Sequence, residues 1–205
     1  MITLADRLAK AKEKIRNGCD EKAYSEMCIP KRYWGKLPEK DTLYMNAQHA
    51  VLKGKSFVIT GAVGSGKTQL AIALMLEWFA ENITEEMLTR NILSKTPLFL
   101  PAGEFFLELK EGFSKNLPEK EILDKYNRPS LLTIDDIGAE KITDWSRYMF
   151  YILIDRRYRE CKQVIITTNL SFKEFAGIDD RIASRLVEMG EIIKLEDQDR
   201  RVVKD

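Results

Sequence analysis

Gly61-Ala62-Val63-Gly64-Ser65-Gly66-Lys67-Thr68 follows the spacing G-x-x-x-x-G-K-[ST], with one glycine more than the pattern requires. Such a run suits an anion. Glycines let the backbone curl until successive N–H groups point inward at phosphate oxygens. A helix beginning near Gln69 presents its N-terminus to the same charge. Lys67 adds a point charge for the β and γ phosphates, and the Thr68 hydroxyl is suited to ligate Mg²⁺. At average composition the pattern arises by chance in roughly one protein of this size in a hundred. Its place between an apolar strand and an apolar helix makes chance a still poorer explanation. The ligands expected are ATP and Mg²⁺, with Gly61 to Gln69 as the binding run.

Two carboxylates answer the loop. Leu131-Leu132-Thr133-Ile134 is an apolar run that delivers Asp135 and Asp136 at its C-terminal end, the edge of a parallel sheet where ligands bind. Asp135 is the expected Mg²⁺ partner, directly or through water. Asp136 is placed to orient or deprotonate an attacking water, because phosphoryl transfer is mostly positioning and charge compensation. Alone, Asp-Asp before Ile137-Gly138 is an ordinary strand-to-turn junction; the upstream loop gives it meaning. Thr167-Thr168-Asn169 closes a further apolar run. The Asn169 amide could hold the water or touch the γ-phosphate, although asparagine at a strand end is commonly a turn residue. Arg181 and Arg185 stand one helical turn apart and share a face. Paired arginines are usually solvated or ion-paired. In a chain with this loop they suggest an arginine finger offered to a neighbouring subunit's nucleotide.

These residues need a frame. Apolar runs at Ser56–Thr60, Pro97–Leu100, Leu131–Ile134, Val164–Thr168 and Glu191–Leu195 read as strands, and Gln69–Ala80, Gly103–Glu111 and Asp144–Arg157 as helices between them. Uninterrupted rather than alternating apolar strands, joined by helices, predict an α/β fold: a parallel five-stranded sheet with helices on both faces. Ahead of it, Thr3 to Asp6 resembles a capping box. Leu4, Leu8, Ala11 and Ile15 then form one apolar face of a short helix ending at Asn17-Gly18. That stripe suits either the chain's own core or a partner. From Cys19 to Asn46 no period is visible, and Pro30 and Pro38 break any long helix. A linker is the default, although Ile29 to Trp34, aromatic and basic, could line an adenine pocket. The chain thus divides into 1–45, helix plus linker and a candidate partner-docking segment, and 46–205, the nucleotide domain.

The 205 residues suffice for one such domain and a short appendage. Lys+Arg 33 against Asp+Glu 32 leaves a net charge of +1, so a globally basic nucleic-acid binder is not indicated. Three scattered cysteines, Cys19, Cys28 and Cys161, suit a reducing compartment. Cys19, Cys28 and His49 match no common zinc spacing. No apolar stretch approaches the ~20 residues needed to cross a bilayer, so no membrane partner is expected and the expected location is cytoplasmic. The absence of N-K-x-D disfavours a GTPase. Tandem Asp135-Asp136 and the late arginines disfavour a small-molecule kinase.

Taken in order, six segments resemble one family, the AAA+ helicase-loader ATPases of the DnaC/DnaI type, close to the IstB transposition helpers. They are Pro30-Lys31-Arg32-Tyr33, the loop Gly61 to Thr68, Ile134 to Glu140, Asp155-Arg156-Arg157-Tyr158, Ile165 to Leu170 and Arg181 to Leu186. The resemblance implies a P-loop NTPase with an AAA+ or RecA-like core and a slow, Mg²⁺-dependent ATPase stimulated by DNA or a partner. It makes Asn169 the first sensor and Arg185 the finger, with Arg181 in support. It also implies self-association into an ATP-dependent oligomer, with single-stranded DNA and a replicative DNA helicase as partners. Basic and aromatic residues from Phe105 to Tyr126, among them Lys110, Phe113, Lys115 and Lys120, are candidate DNA contacts. Two other functions stay open: an IstB-like transposition ATPase, and a non-hydrolysing nucleotide-binding module or inhibitor. Asp136 stands where many AAA+ ATPases carry Glu. Ending at Asp205 leaves no room for a C-terminal helical lid, which loaders also lack, and the short N-terminal segment suggests a phage or mobile-element version.

Overall fold

The computed structural model describes residues 3–18, 21–90, 96–114, 118–138 and 143–195. Their order is α1 (Leu4–Arg16), α2 (Glu21–Glu26), α3 (Thr42–Leu52), β1 (Ser56–Thr60), α4 (Lys67–Asn82) and α5 (Glu85–Arg90). There follow β2 (Leu98–Pro101), α6 (Ala102–Ser114), α7 (Glu119–Asn127), β3 (Leu131–Ile137) and α8 (Asp144–Arg159). The described part closes with β4 (Gln163–Thr168), α9 (Phe172–Ala176), α10 (Asp180–Met189) and β5 (Gly190–Lys194). The strands pair in parallel in the order β2-β3-β4-β1-β5. This is the α/β sheet expected from the apolar runs.

Strand parity distributes the core. Phe57 and Ile59 of β1, Leu131 of β3 and Ile165 of β4 face the layer containing α1, α3 and α4. Their neighbours Val58, Leu132 and Ile134, and Val164 and Ile166 face α6, α7, α8 and α10. The central strands β1, β3 and β4 are therefore buried on both sides, which is why they read as continuous apolar runs, whereas β5 at the sheet edge buries only Ile193. Helix α4 is buried at every position from Leu70 to Ala80, because the sheet covers one side and α1 and α3 the other.

The later part of the α1 apolar stripe lies on the chain's own core, while Leu4 at its start stays exposed. Thr3 and Asp6 form the capping box, with Asp6 N–H donating to Thr3 Oγ1 at 3.1 Å and Thr3 N–H to Asp6 Oδ2 at 2.9 Å. Ile15 is buried and Leu8 packs against the same cluster. At the end of α1, Arg16 pairs with Glu77 and Glu81 of α4. Glu77 is itself buried and also accepts from Tyr44 Oη of α3 at 2.9 Å.

Residues 21–46 correct the expectation of an irregular linker. They contain α2, a turn of 3₁₀ helix at Lys31–Tyr33 and the start of α3. Tyr24, Met27 and Ile29 are buried, Tyr24 stacks on Trp34, and Phe99 N–H of β2 donates to Met27 O at 2.8 Å. Apolar side chains without a helical or strand period can still fill a core, and here they do.

A register shift marks the end of β3. Ile134 pairs with Ile166 and Ile137 with Thr168, so β3 advances three residues where β4 advances two. Asp136 lies inside this bulge with φ +61°. Bulges re-aim side chains at sheet rims, and this one separates the directions of Asp135 and Asp136.

Candidate nucleotide site

Sheet order explains which groups meet. Strand β4 lies between β1 and β3, so the residue after β4 must fall between the loop after β1 and the acids at the end of β3. That residue is Asn169. Its Oδ1 accepts from Lys67 Nζ at 2.6 Å and its Nδ2 donates to Asp136 Oδ1 at 2.6 Å. Lys67, Asn169 and Asp136 form one hydrogen-bonded chain at the C-terminal edge of the sheet.

The loop has the backbone its glycines permit. Gly66 precedes α4 with φ +96°, a left-handed value that other residues rarely adopt. A Cβ on Gly61 would stand 3.0 Å from Leu195 O and 2.9 Å from Ser65 Oγ. Lys67 is only 6% exposed, and besides Asn169 its Nζ donates to Gly61 O at 2.8 Å and Ala62 O at 2.7 Å. Ser65 Oγ is buried without a hydrogen-bond partner among the described residues. Val63 is exposed at the loop tip. A buried ammonium, an unpaired hydroxyl and a helix N-terminus facing one cradle fit an incoming phosphate group.

Beside the cradle, Asp135 Oδ1 accepts from Thr68 Oγ1 at 2.8 Å and from Thr167 Oγ1 at 2.7 Å. Burial pushes the Asp135 carboxyl above the ordinary aspartate range, against the lowering effect of both hydroxyls. A divalent cation would reverse that by favouring the charged form. Hard oxygen donors, one carboxylate and one hydroxyl, fit Mg²⁺. Thr167, which the sequence pattern did not single out, holds both acids: its Oγ1 also accepts from Asp136 N–H at 2.9 Å. The left-handed backbone at Asp136 gives a reason for aspartate there, since Asp is among the few residues other than glycine that tolerate it.

A cavity extends from Gly64, Gly66, Lys67, Thr68 and Gln69 to Arg32, Tyr33 and Lys36. Gln69 Nε2 donates to Lys36 O at 3.1 Å, and the Arg32 guanidinium lies 5.3 Å from the Tyr33 ring centre. The 3₁₀ turn and the residues after it thus wall one side of the cradle.

Residues 36–203 match the family described as IstB-like ATP binding protein. The chain belongs to that family. This IstB-like domain is 25% identical over 133 residues to the replicative helicase loader DnaC of Escherichia coli, covering 64% of this chain and 49% of that protein. It is 27% identical over 139 residues to the phage-like element PBSX protein XkdC of Bacillus subtilis, covering 65% of this chain and 47% of the relative. It therefore spans about half the length of these curated relatives. Among solved structures, the DnaC helicase loader superposes with a TM-score of 0.63 at 23% identity, over 81% of this chain and 99% of the other. That likeness shows a shared α/β P-loop fold.

The arginines of the IstB-like domain lie apart from the cradle's hydrogen-bonded cluster. Arg181 is bidentate to Asp179, with Nε–Oδ1 at 3.0 Å and Nη2–Oδ2 at 2.6 Å. Arg185 pairs with Asp155 of its own chain, Nη2–Oδ1 at 2.7 Å. Phe105 and Tyr126 are buried in the core, so neither ring is open to a DNA base. Lys115, the Phe113 side chain, Cys19 and Ala139-Glu140 lie outside the described residues. No helix among the described residues is long and apolar enough to cross a membrane.

Proposed function

We propose that this protein is an ATP-hydrolysing switch of the helicase-loader type, which self-associates in ATP and delivers a replicative helicase to single-stranded DNA. The observation that carries the hydrolytic part is the chain Lys67–Asn169–Asp136 beside Thr68–Asp135. The loop N–H groups and Lys67 bind the β and γ phosphates, and Lys67 exchanges its loop carbonyls for phosphate oxygens. Arg32, Tyr33 and Lys36 seat the base and sugar. Thr68 and Asp135 hold Mg²⁺, which when bound neutralises charge on the phosphate oxygens. Asn169, freed on one side as Lys67 turns to phosphate, keeps its hold on Asp136 and orients a water. As the water oxygen bonds to the γ-phosphorus, the bridging bond to the β-phosphate oxygen breaks and the proton passes to Asp136. Arg185, with Arg181 beside it, supplies positive charge to the nucleotide of an adjoining copy.

The relationship to DnaC supports the loader assignment, and the family description keeps a transposition ATPase as the second reading. Mixing the purified chain with a hexameric replicative helicase, ATP and a single-stranded oligonucleotide tests the first. Stable co-elution with the helicase and DNA-stimulated phosphate release are expected. ATP turnover with no helicase binding, but with binding to a transposase, would favour the second. Bound ATP that is never hydrolysed under any of these conditions would leave a nucleotide-binding module or inhibitor.

A further inference from the structure

The contact between α8 and α10 is built around one guanidinium. Tyr151, Asp155 and Tyr158 recur at helical spacing along one face of α8, and Arg185 of α10 meets all three. Its Nε donates to Asp155 Oδ1 at 2.9 Å, its Nη2 to Tyr151 Oη at 3.2 Å, and its Nη1 to Arg181 O at 3.1 Å. The guanidinium also lies 5.0 Å from the Tyr151 ring centre and 5.6 Å from that of Tyr158. All three nitrogens are engaged within the chain.

The same contact is built so that Arg185 can leave. Asp155 has a second cation, Arg159 Nη2, 2.9 Å from its other oxygen, so departure of Arg185 would not strand a half-buried carboxylate. Tyr151 keeps a second guanidinium, that of Arg181, at 4.1 Å from its ring centre. Arg181 is itself fixed by Asp179 and needs nothing from Arg185. A carboxylate and a phosphate are interchangeable partners for a guanidinium.

We propose that Asp155 is a positioning residue that holds Arg185 in reserve. It competes, within one chain, with the phosphate of a nucleotide carried by a second copy, and so sets the concentration at which ATP drives association. This rests on the trans-acting role of Arg185 proposed above. Exchange of one anionic partner for another makes Arg185 a two-position element, and the nucleotide biases it by binding one position only.

Sedimentation velocity of the full chain with Mg²⁺ and a non-hydrolysable ATP analogue tests this. Asp155→Asn keeps the shape and removes the charge; the concentration for half-assembly should fall about tenfold. The gain should be absent without nucleotide, absent in Asp155→Asn/Arg185→Ala, and reversed in Asp155→Glu. A merely structural contact would show none of these dependences. Thermal melting checks folding. If Asp155→Asn does not fold, Tyr151→Phe removes one hydrogen bond while keeping the ring, and should tighten assembly about two- to threefold. Assembly equal to or weaker than the parent's in a folded variant overturns the proposal. A second assay separates it from its premise: Arg185→Ala and Lys67→Ala, each nearly inactive, are mixed. Recovered ATPase with unchanged Asp155→Asn assembly sinks the reserve position alone. No recovery, although both variants associate, sinks the trans-acting arginine and this proposal with it.

Discussion

Thr68 Oγ1 and Asp135 Oδ1 stand 2.8 Å apart, brought together from the start of α4 and the end of β3. One hydroxyl and one half-buried carboxylate that already share a hydrogen bond form a site where a small, hard cation can replace the shared proton contact. The sheet order makes this possible, because only β4 intervenes between the two strand ends and it contributes Thr167 and Asn169 to the gap.

Asp136→Asn keeps size and removes the charge that would accept a proton from water. ATP should remain bound within about twofold, while turnover at saturating ATP and Mg²⁺ falls by 10²-fold or more, roughly the contribution of general-base catalysis. Steady-state phosphate release measures the second and a filter-binding isotherm the first. Turnover equal to the parent's would remove Asp136 from the reaction.

Asp135 predicts opposite effects on stability and on cation binding. Burial raises its carboxyl, so above the folded-state pKa the ionised group costs stability, and that cost disappears as pH falls through it. Asp135→Asn should therefore raise the melting temperature at neutral pH in the absence of nucleotide. It should also abolish the further rise that Mg²⁺ and ATP give the parent. The parent's Mg²⁺-dependent rise should weaken on acidification at a higher pH than an ordinary aspartate would require. Calorimetric melts across pH check all three, and a Mg²⁺-dependent rise surviving in Asp135→Asn would place the cation elsewhere.

Arg157 is a structural counterpart to these functional charges. Fully buried, it donates to Tyr126 O, Pro129 O, Ser130 O and Gln163 O, tying the end of α7 and the start of β3 to the start of β4. Arg157→Met would leave those carbonyls without their donor. A loss of about 3–5 kcal/mol is expected in urea unfolding, with nucleotide affinity of the folded fraction unchanged. A loss under about 1 kcal/mol would mean that water replaces the guanidinium without penalty.

The elements legible in the sequence are those whose pattern is local. Central strands buried on both faces had to read as apolar runs, and the loop from Gly61 to Thr68 carries its chemistry in consecutive residues. What escaped depends on distant partners. Tyr24, Met27 and Ile29 have no period because they fill a gap beside β2 rather than forming a face, so their segment resembled a linker. Thr167 looked like strand filler, although its hydroxyl joins Asp135 and Asp136 across a bulge that no residue type announces. Phe105 and Tyr126 bounded the candidate DNA contacts, yet they meet edge to face inside the core. Arg185 was recognisable as one of a pair, while its partner Asp155 lies 30 residues away on another helix.

The most direct measurement is equilibrium binding of a fluorescent ATP analogue, with Mg²⁺, to the parent chain and to Lys67→Ala. Lys67 is buried against the loop carbonyls and Asn169, so its ammonium would meet phosphate in a site largely withdrawn from water. Its loss should cost about 3 kcal/mol, roughly a hundredfold in affinity, with the fold intact by circular dichroism. Saturable binding by the parent together with that loss is the result predicted. Equal affinity in the folded variant, or no saturable binding by the parent, would contradict the assignment of Gly61 to Gln69 as a nucleotide cradle.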